Sequence, residues 1–169
     1  MPTYVALLRA VNVGGTGRLP MTDLVAMASA AGFQRVRPYV ASGNLVLDSA
    51  LEDIRVKASL EQTLARYAGK PVAVAVRTAK EIAAVLDANP FADKAPNQTV
   101  VAFLDAPPPE NWRDGLVARD GEEARAGIRE IYIHYGAGMA RSKFKLPAAA
   151  RGTARNINTV ARLAAMAQG

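Results

Sequence analysis

The 169-residue sequence contains no cysteine and a single histidine, His134. The absence of cysteine excludes a disulfide framework, thiol catalysis and cysteine-ligated metal. One histidine cannot form a histidine-rich metal site. We therefore expect no bound metal, and no sequence motif indicates a cofactor.

The sequence also lacks an apolar run near the roughly 18 residues that a membrane span requires. Met1-Pro2-Thr3 leads directly into a strand-like segment, without the basic region and cleavage site of a signal peptide. We therefore expect a cytoplasmic protein with no membrane partner. Since half of the residues are hydrophobic, the chain can form a sizeable core, in one domain or in two small ones.

Acidic residues are missing from the last quarter of the chain. Residues 1–130 contain 15 Lys and Arg and all 15 Asp and Glu, whereas residues 131–169 contain six basic side chains and no acid. The net charge of +6 therefore arises entirely from this last quarter. Such an asymmetry indicates either a surface that meets phosphate or nucleic acid, or a solvated basic face without a partner.

The first half of the chain predicts the element order β-α-β-β-α-β. The almost continuous apolar run from Thr3 to Val13 is typical of a buried central strand, interrupted by Arg9. The other predicted elements are a helix capped by Thr22 and closed by Gly32, a hairpin of residues 34–40 and 45–47, a helix opened by a Ser49–Glu52 capping box, and a strand over residues 72–76. This order is that of a ferredoxin-like plait, a two-layer α+β sandwich. We predict one such half over residues 1–77.

Residues 78–169 predict a second, less regular plait-like half. Thr78 and Glu81 form a capping box for a helix, residues 98–105 read as a strand, and residues 110–117 read as a short helix. Residues 124–128 and 130–135 then form a pair of strands. In the last helix we take Thr153 as the N-cap, which places Arg155 and Asn156 in the first turn. An arginine there opposes the helix dipole unless an anion compensates for it.

A glycine-rich loop follows the first strand. Gly14-Gly15-Thr16-Gly17 matches neither the Walker pattern nor the dinucleotide fingerprint, so it indicates either a simple turn or a weak anion site. Polar and cationic residues beside predicted turns give the candidate ligand-binding set: Arg9, Asn12, Gly14, Gly15, Ser42, Asn44, Lys143, Arg155 and Asn156. Singly, the asparagines and Ser42 are also the residues that satisfy turn backbone.

Several segments together resemble a bacterial family, domain of unknown function 1697. They are Leu8 to Gly15, Leu19-Pro20-Met21, Tyr39 with Ser42-Gly43-Asn44, Ser142-Lys143, and Thr153 to Val160. The resemblance covers nearly the full chain and implies two ferredoxin-like halves, but no established activity. Ile157 stands where this family usually carries tryptophan, and Ala154 where it carries threonine or valine.

Three kinds of function are compatible with these residues. The first is binding of a small anionic, phosphorylated ligand in a cleft formed by the glycine-rich loop, the Ser-Gly-Asn turn and the Arg-Asn start of the last helix. The second is an enzyme acting on such a substrate, although the set contains no carboxylate, histidine or cysteine for acid–base work. The third is nonspecific nucleic-acid binding through the basic C-terminal region. The sequence does not determine the oligomeric state.

Overall fold

The structure is a computed structural model of the chain, and it describes residues 1–9, 19–39, 43–136, 139 and 142–169. The described residues form a mixed α and β fold with two four-stranded antiparallel sheets and five helices. They divide into two compact units. Unit 1 comprises Met1–Ile82 with Leu163–Gly169, and unit 2 comprises Ala83–Arg162. The predicted division between residues 77 and 78 stays a prediction.

Unit 1 contains the predicted β-α-β-β-α-β order. Its elements are β1 (Thr3–Leu8), α1 (Met21–Ala30), β2 (Gln34–Tyr39), β3 (Asn44–Asp48), α2 (Asp53–Ala68) and β4 (Val74–Thr78). The strands are antiparallel in the order β2-β3-β1-β4, so that β1 is central. The first prediction for the chain, a buried strand from Thr3, is confirmed over β1.

Two helices cover one face of this first sheet. Tyr4, Ala6 and Leu8 of β1 pack in one core cluster with Leu24 and Ala28 of α1 and with Val56, Leu60 and Leu64 of α2. The last three side chains recur every four residues, so they form a single apolar stripe on α2. Gly69, with φ of 70°, ends α2 in the left-handed conformation that glycine adopts readily.

Two predicted helix starts in unit 1 are wrong. The N-cap of α1 is Pro20 and not Thr22, because the Pro20 carbonyl already accepts the first helical hydrogen bond, from the Leu24 N–H at 3.0 Å. The N-cap of α2 is Glu52, and Ser49 instead accepts a hydrogen bond from the Leu51 N–H at 3.1 Å. Ser49 therefore closes a local turn before the helix.

The remaining elements belong to unit 2, except that α3 begins in unit 1 and α5 ends in it. They are α3 (Ala79–Asp87), β5 (Thr99–Phe103), β6 (Glu123–Ala126), β7 (Glu130–His134), α4 (Pro147–Ala150), β8 (Thr153–Asn156) and α5 (Ile157–Gln168), with a 3-10 turn over Pro96–Gln98. The strands are antiparallel in the order β6-β7-β5-β8, which makes β5 central. The predicted pairing of the two strands after residue 122 is confirmed.

The predicted helix over residues 110–117 is wrong. Residues 104–122 are all described and hold turns without a helix. The run Pro107-Pro108-Pro109 removes backbone donors ahead of this segment, and Gly115 has a φ of 79°, which is outside the helical region. Trp112 nevertheless packs against the core of unit 2.

The two units repeat one arrangement of strand, arginine and helix. Arg77 of β4 pairs with Val5, and Arg155 of β8 pairs with Val101 at the equivalent place in the second sheet. Both arginines are buried, and each donates from Nη1 to the carbonyl of the preceding residue. A capping residue and a helix follow each strand, since Thr78 precedes α3 and Asn156 precedes α5.

The Thr78–Glu81 capping box is confirmed and gives a stability test. The Glu81 N–H donates to Thr78 Oγ1 at 3.1 Å, and the Thr78 N–H donates to Glu81 Oε1 at 2.8 Å. Removal of an N-cap hydroxyl leaves a helix-end donor unsatisfied. We therefore expect Thr78→Ala to lower the free energy of unfolding by about 1 kcal/mol, measured by urea denaturation. Exposed Lys80 in the same turn provides the control, Lys80→Ala, and an equal loss in both variants would contradict the assignment.

Candidate functional site

Arg9 and Asn44 lie at the same end of the first sheet. Leu7 pairs with Asn44 across β1 and β3, and Arg9 follows β1 with its N–H bonded to the Ala73 carbonyl at 2.9 Å. Arg9 is exposed, which corrects the expectation that it interrupts a buried strand. An exposed arginine avoids the desolvation cost that a buried charge would incur.

Asn44 is fully buried and supports the hairpin between β2 and β3. Its Nδ2 donates at 2.9 Å to the carbonyl of Tyr39, the residue with which it pairs between the two strands. This is the turn-satisfying role that the sequence leaves open for the asparagines. Four further candidates, Asn12, Gly14, Gly15 and Ser42, lie outside the described residues.

Arg155 and Asn156 are not in the first turn of the last helix. They are the final residues of β8, paired with Val101 and Val100 respectively, so their side chains lie on opposite faces of the second sheet. The sequence does not reveal this strand, because the four residues that precede the last helix are equally compatible with a helix cap. The dipole argument for an anion at Arg155 therefore fails.

The structure gives these two residues separate roles. Asn156 caps α5, since its Oδ1 accepts a hydrogen bond from the Asn158 N–H at 2.8 Å, and its Nδ2 donates to the Asn97 carbonyl at 3.2 Å. Arg155 is buried, and burial lowers its pKa to about 10. Its Nη1 donates to the Ala154 carbonyl at 2.9 Å. The candidate residues thus belong to both units: Arg9 and Asn44 to unit 1, and Lys143, Arg155 and Asn156 to unit 2.

Unit 2 contains an apolar groove that the sequence analysis does not anticipate. It has a volume of about 440 Å³. Its floor is one face of the second sheet, where Val100 pairs with Ile133 and Ala102 pairs with Ala154. Tyr135, Phe144, Lys145 and the α4 residues Pro147, Ala149 and Ala150 form its sides. Among the described residues that line the groove, Lys145 alone carries a charge.

The groove lies on the face that helices cover in unit 1. Residues 104–122 connect β5 to β6 with turns, and the later crossover contributes α4, a helix of four residues. In unit 1 the corresponding helices have 10 and 16 residues. The shorter cover, together with alanines at positions 102, 149 and 154, leaves the space that forms the groove.

A hydrogen-bonded carboxylate holds one wall of the groove in place. The Ser142 hydroxyl donates to Glu122 Oε2 and accepts a hydrogen bond from the Phe144 N–H at 3.1 Å. The Phe144 ring meets the Tyr135 ring edge-on, with centroids 5.6 Å apart. The hydrogen bonds from Ser142 and from the Asp120 N–H lower the pKa of Glu122. Burial, and secondarily the charge of Glu122, raise the pKa of Tyr135.

His134 has an ordinary packed environment in the second sheet. Its Nδ1 lies 3.0 Å from Thr99 Oγ1, and its ring centroid lies 5.6 Å from that of Phe91. Throughout the described ranges, no group of three or more His, Asp or Glu residues is arranged to hold a metal ion. In those same ranges, no helix is both long enough and apolar enough to span a membrane.

Comparison with known proteins places the chain in a family. A family model described as protein of unknown function (DUF1697) matches residues 1–132. The chain belongs to the DUF1697 family. The closing segments of the resemblance, Ser142-Lys143 and Thr153 to Val160, lie beyond the residues that match the DUF1697 model.

A solved structure shares the fold of this DUF1697 chain. It is the conserved bacterial protein SP0830 from Streptococcus pneumoniae, which is 18% identical, with a TM-score of 0.79 over 98% of each chain. At this identity the likeness concerns the fold alone. No curated protein matches the sequence.

The wall of the groove gives a prediction about Tyr135. Since the charge of Glu122 opposes ionisation of the phenol, we expect Glu122→Gln to lower the pKa of Tyr135 while burial keeps it above the ordinary value of 10. Titration of the tyrosine ring carbons by NMR measures this pKa directly. Glu123→Gln, in the adjacent position on β6, should leave it unchanged; equal shifts in both variants would contradict the assignment.

The Ser142–Glu122 hydrogen bond in the same wall predicts that the stability of the fold depends on pH. A carboxyl whose pKa is lower in the folded state stabilises the fold above its unfolded-state pKa, here 4.5, and loses that contribution as the pH falls through the folded value. Ser142→Ala removes the largest cause of the shift. Its loss of stability in urea denaturation should therefore be greater at about pH 7 than at about pH 3. We expect no such difference for Ser29→Ala on the exposed face of α1, and a pH-independent loss for Ser142→Ala would refute this role.

Proposed function

We propose that this protein binds a small anionic ligand. The observation that carries the proposal is the groove of unit 2, whose volume of about 440 Å³ lies within the range of about 300–1,000 Å³ typical of small-molecule sites. Lys145 supplies a positive charge at its side, and residues 131–169 contain six basic side chains and no acid. A ligand with negative charge therefore complements this part of the chain.

The proposal treats each unit as a ferredoxin-like plait. Both sheets have the same strand order, and in unit 1 the two crossovers are helices packed on one face, as that fold requires. On this interpretation, unit 2 is a plait in which turns replace one helix and a single helical turn replaces the other. The groove is then a consequence of the shortened crossovers.

The end of the first sheet is a second candidate site for the anion. Arg9 is exposed there, and the glycine-rich sequence of residues 14–17 follows it in the chain. An arginine beside a glycine-rich loop is suited to a phosphate, because the guanidinium offers bidentate donors. A phosphorylated ligand at this end of the sheet stays a proposal, as do enzymatic action on such a ligand, nucleic-acid binding and a cytoplasmic location.

A thermal-shift screen at fixed ionic strength tests the proposal. The panel consists of nucleotides, sugar phosphates, polyphosphate, small organic acids and short single-stranded oligonucleotides. A ligand present at about one hundred times its Kd should stabilise the fold by about 2.7 kcal/mol. We expect one chemical class of small anion to raise the Tm, and Lys145→Ala to reduce the shift.

One further variant and its control locate the site. Arg9→Ala should abolish the shift if the ligand binds at the end of the first sheet. Arg66→Ala, which replaces an exposed basic residue near the end of α2, serves as the control. A shift from every polyanion that disappears with added salt would favour nucleic acid instead. The absence of any shift across the panel would refute the proposal.

A further inference from the structure

We propose that the ligand is a small amphiphilic acid, with an apolar body that lies in the groove of unit 2 and one anionic group at Lys145. This inference rests on the proposed function and specifies its chemistry. It assigns the apolar part of the ligand to the floor of the second sheet, and the charged part to the water-exposed side of the groove.

The floor of the groove excludes a wholly polar ligand. Val100, Ala102 and Ile133 are all buried and offer only apolar side chains. A sugar or a nucleotide ribose on this floor would lose hydrogen bonds to water without replacing them, which is unfavourable. An alkyl chain or an aromatic ring instead gains by leaving water there.

The dimensions of the groove favour a small molecule over a protein helix. A helix with its side chains has a diameter of about 10–12 Å, and two helices of 10 and 16 residues pack on this face in unit 1. In unit 2, α4 and the Phe144 side chain already occupy part of that face. The space that remains is large enough for a small ligand but too small for a second helix.

Lys145 is positioned to meet the anionic group. Its backbone is held by two hydrogen bonds with Val117, at 2.8 and 2.9 Å, and the residue itself is exposed. Lys145 is among the residues that line the groove, and an exposed lysine beside apolar surface keeps its ammonium group in water. The carboxylate or phosphate of an amphiphile can thus pair with it while remaining partly hydrated.

The charge of Glu122 gives the ligand its direction. Glu122 accepts a hydrogen bond from Ser142, whose hydroxyl in turn accepts one from the Phe144 N–H, and its negative charge raises the pKa of Tyr135. An anionic group near Tyr135 would be repelled by this carboxylate. We therefore expect the apolar end of the ligand to point toward the Tyr135 ring, and the acid to lie near Lys145.

Isothermal titration calorimetry with four probes tests the inference. Decanoate and decyl phosphate carry the same apolar chain with different anionic groups, decanamide is a neutral analogue, and inorganic phosphate has no apolar part. We expect decanoate and decyl phosphate to bind more tightly than decanamide, and phosphate not to bind in the groove. Comparison of decanoate with decyl phosphate then shows which acid the site prefers.

Variants separate the role of the charge from that of the groove. Lys145→Met keeps the apolar length of the side chain and should weaken decanoate about tenfold without affecting decanamide. Lys94→Met, at an exposed lysine of unit 2 that does not line the groove, is the matched control. Ala154→Trp, at an exposed groove position on β8, should prevent binding of all the amphiphiles. Ala126→Trp, at an exposed position on β6 outside the groove, should not.

The outcomes distinguish this inference from the proposed function. Equal affinities for decanoate and decanamide, or equal losses for both in Lys145→Met, would overturn the assignment of the anion to Lys145. If the amphiphiles do not bind but a polar phosphorylated ligand does, the inference fails and the proposed function stands. If neither an amphiphilic nor a polar phosphorylated anion binds to the unmutated protein, and its Tm is normal, both the inference and the proposed function fail. A melting curve for each variant confirms that it is folded.

Discussion

The fold depends on covering both faces of two central strands. β1 and β5 each have a hydrogen-bonded neighbour on either side, and Val5, Leu7, Val101 and Phe103 are almost completely buried. A strand in this position has no polar side chain that can reach water, so each face of its sheet requires apolar cover. The helices and loops of both units are arranged around this requirement.

The two units use different elements to cover one face of their sheets. In unit 1 buried residues of α1 and α2 pack on the face in one core cluster with the strands. In unit 2 turns, a single helical turn and the side chains of Trp112 and Phe144 provide the cover. Incomplete cover of an apolar sheet leaves a groove, whose volume is typical of a small-molecule site.

Buried charge is distributed differently from what the sequence suggests. Arg9 looks buried in sequence because it continues an apolar run, yet it is exposed just beyond the end of β1. Arg77 and Arg155 are buried instead, and each donates to the carbonyl of the residue before it. A guanidinium has five donors and cannot be left without partners in a core, so its position depends on neighbouring carbonyls that only the folded chain supplies.

Sequence patterns predict the candidate site less well than the elements. Asn44 and Asn156 stand beside predicted turns, and both use their amides to satisfy nearby backbone groups. The groove residues Ala102, Ala149 and Ala154 carry no chemical signal in the sequence, since alanine is common in helices and strands alike. Their significance lies in the space that they leave, which depends on the elements opposite them.

Local patterns by themselves determined much of this protein: the buried strand from Thr3, the apolar stripe of α2, the Thr78–Glu81 capping box and the order of strands and helices in unit 1. Each of these rests on contacts within a few residues or on the periodicity of one element. The tertiary structure alone decided the strand at Thr153–Asn156, the burial of Arg155 and the groove. These depend on pairing with β5 and on the length of two crossovers, which are contacts between segments far apart in the chain.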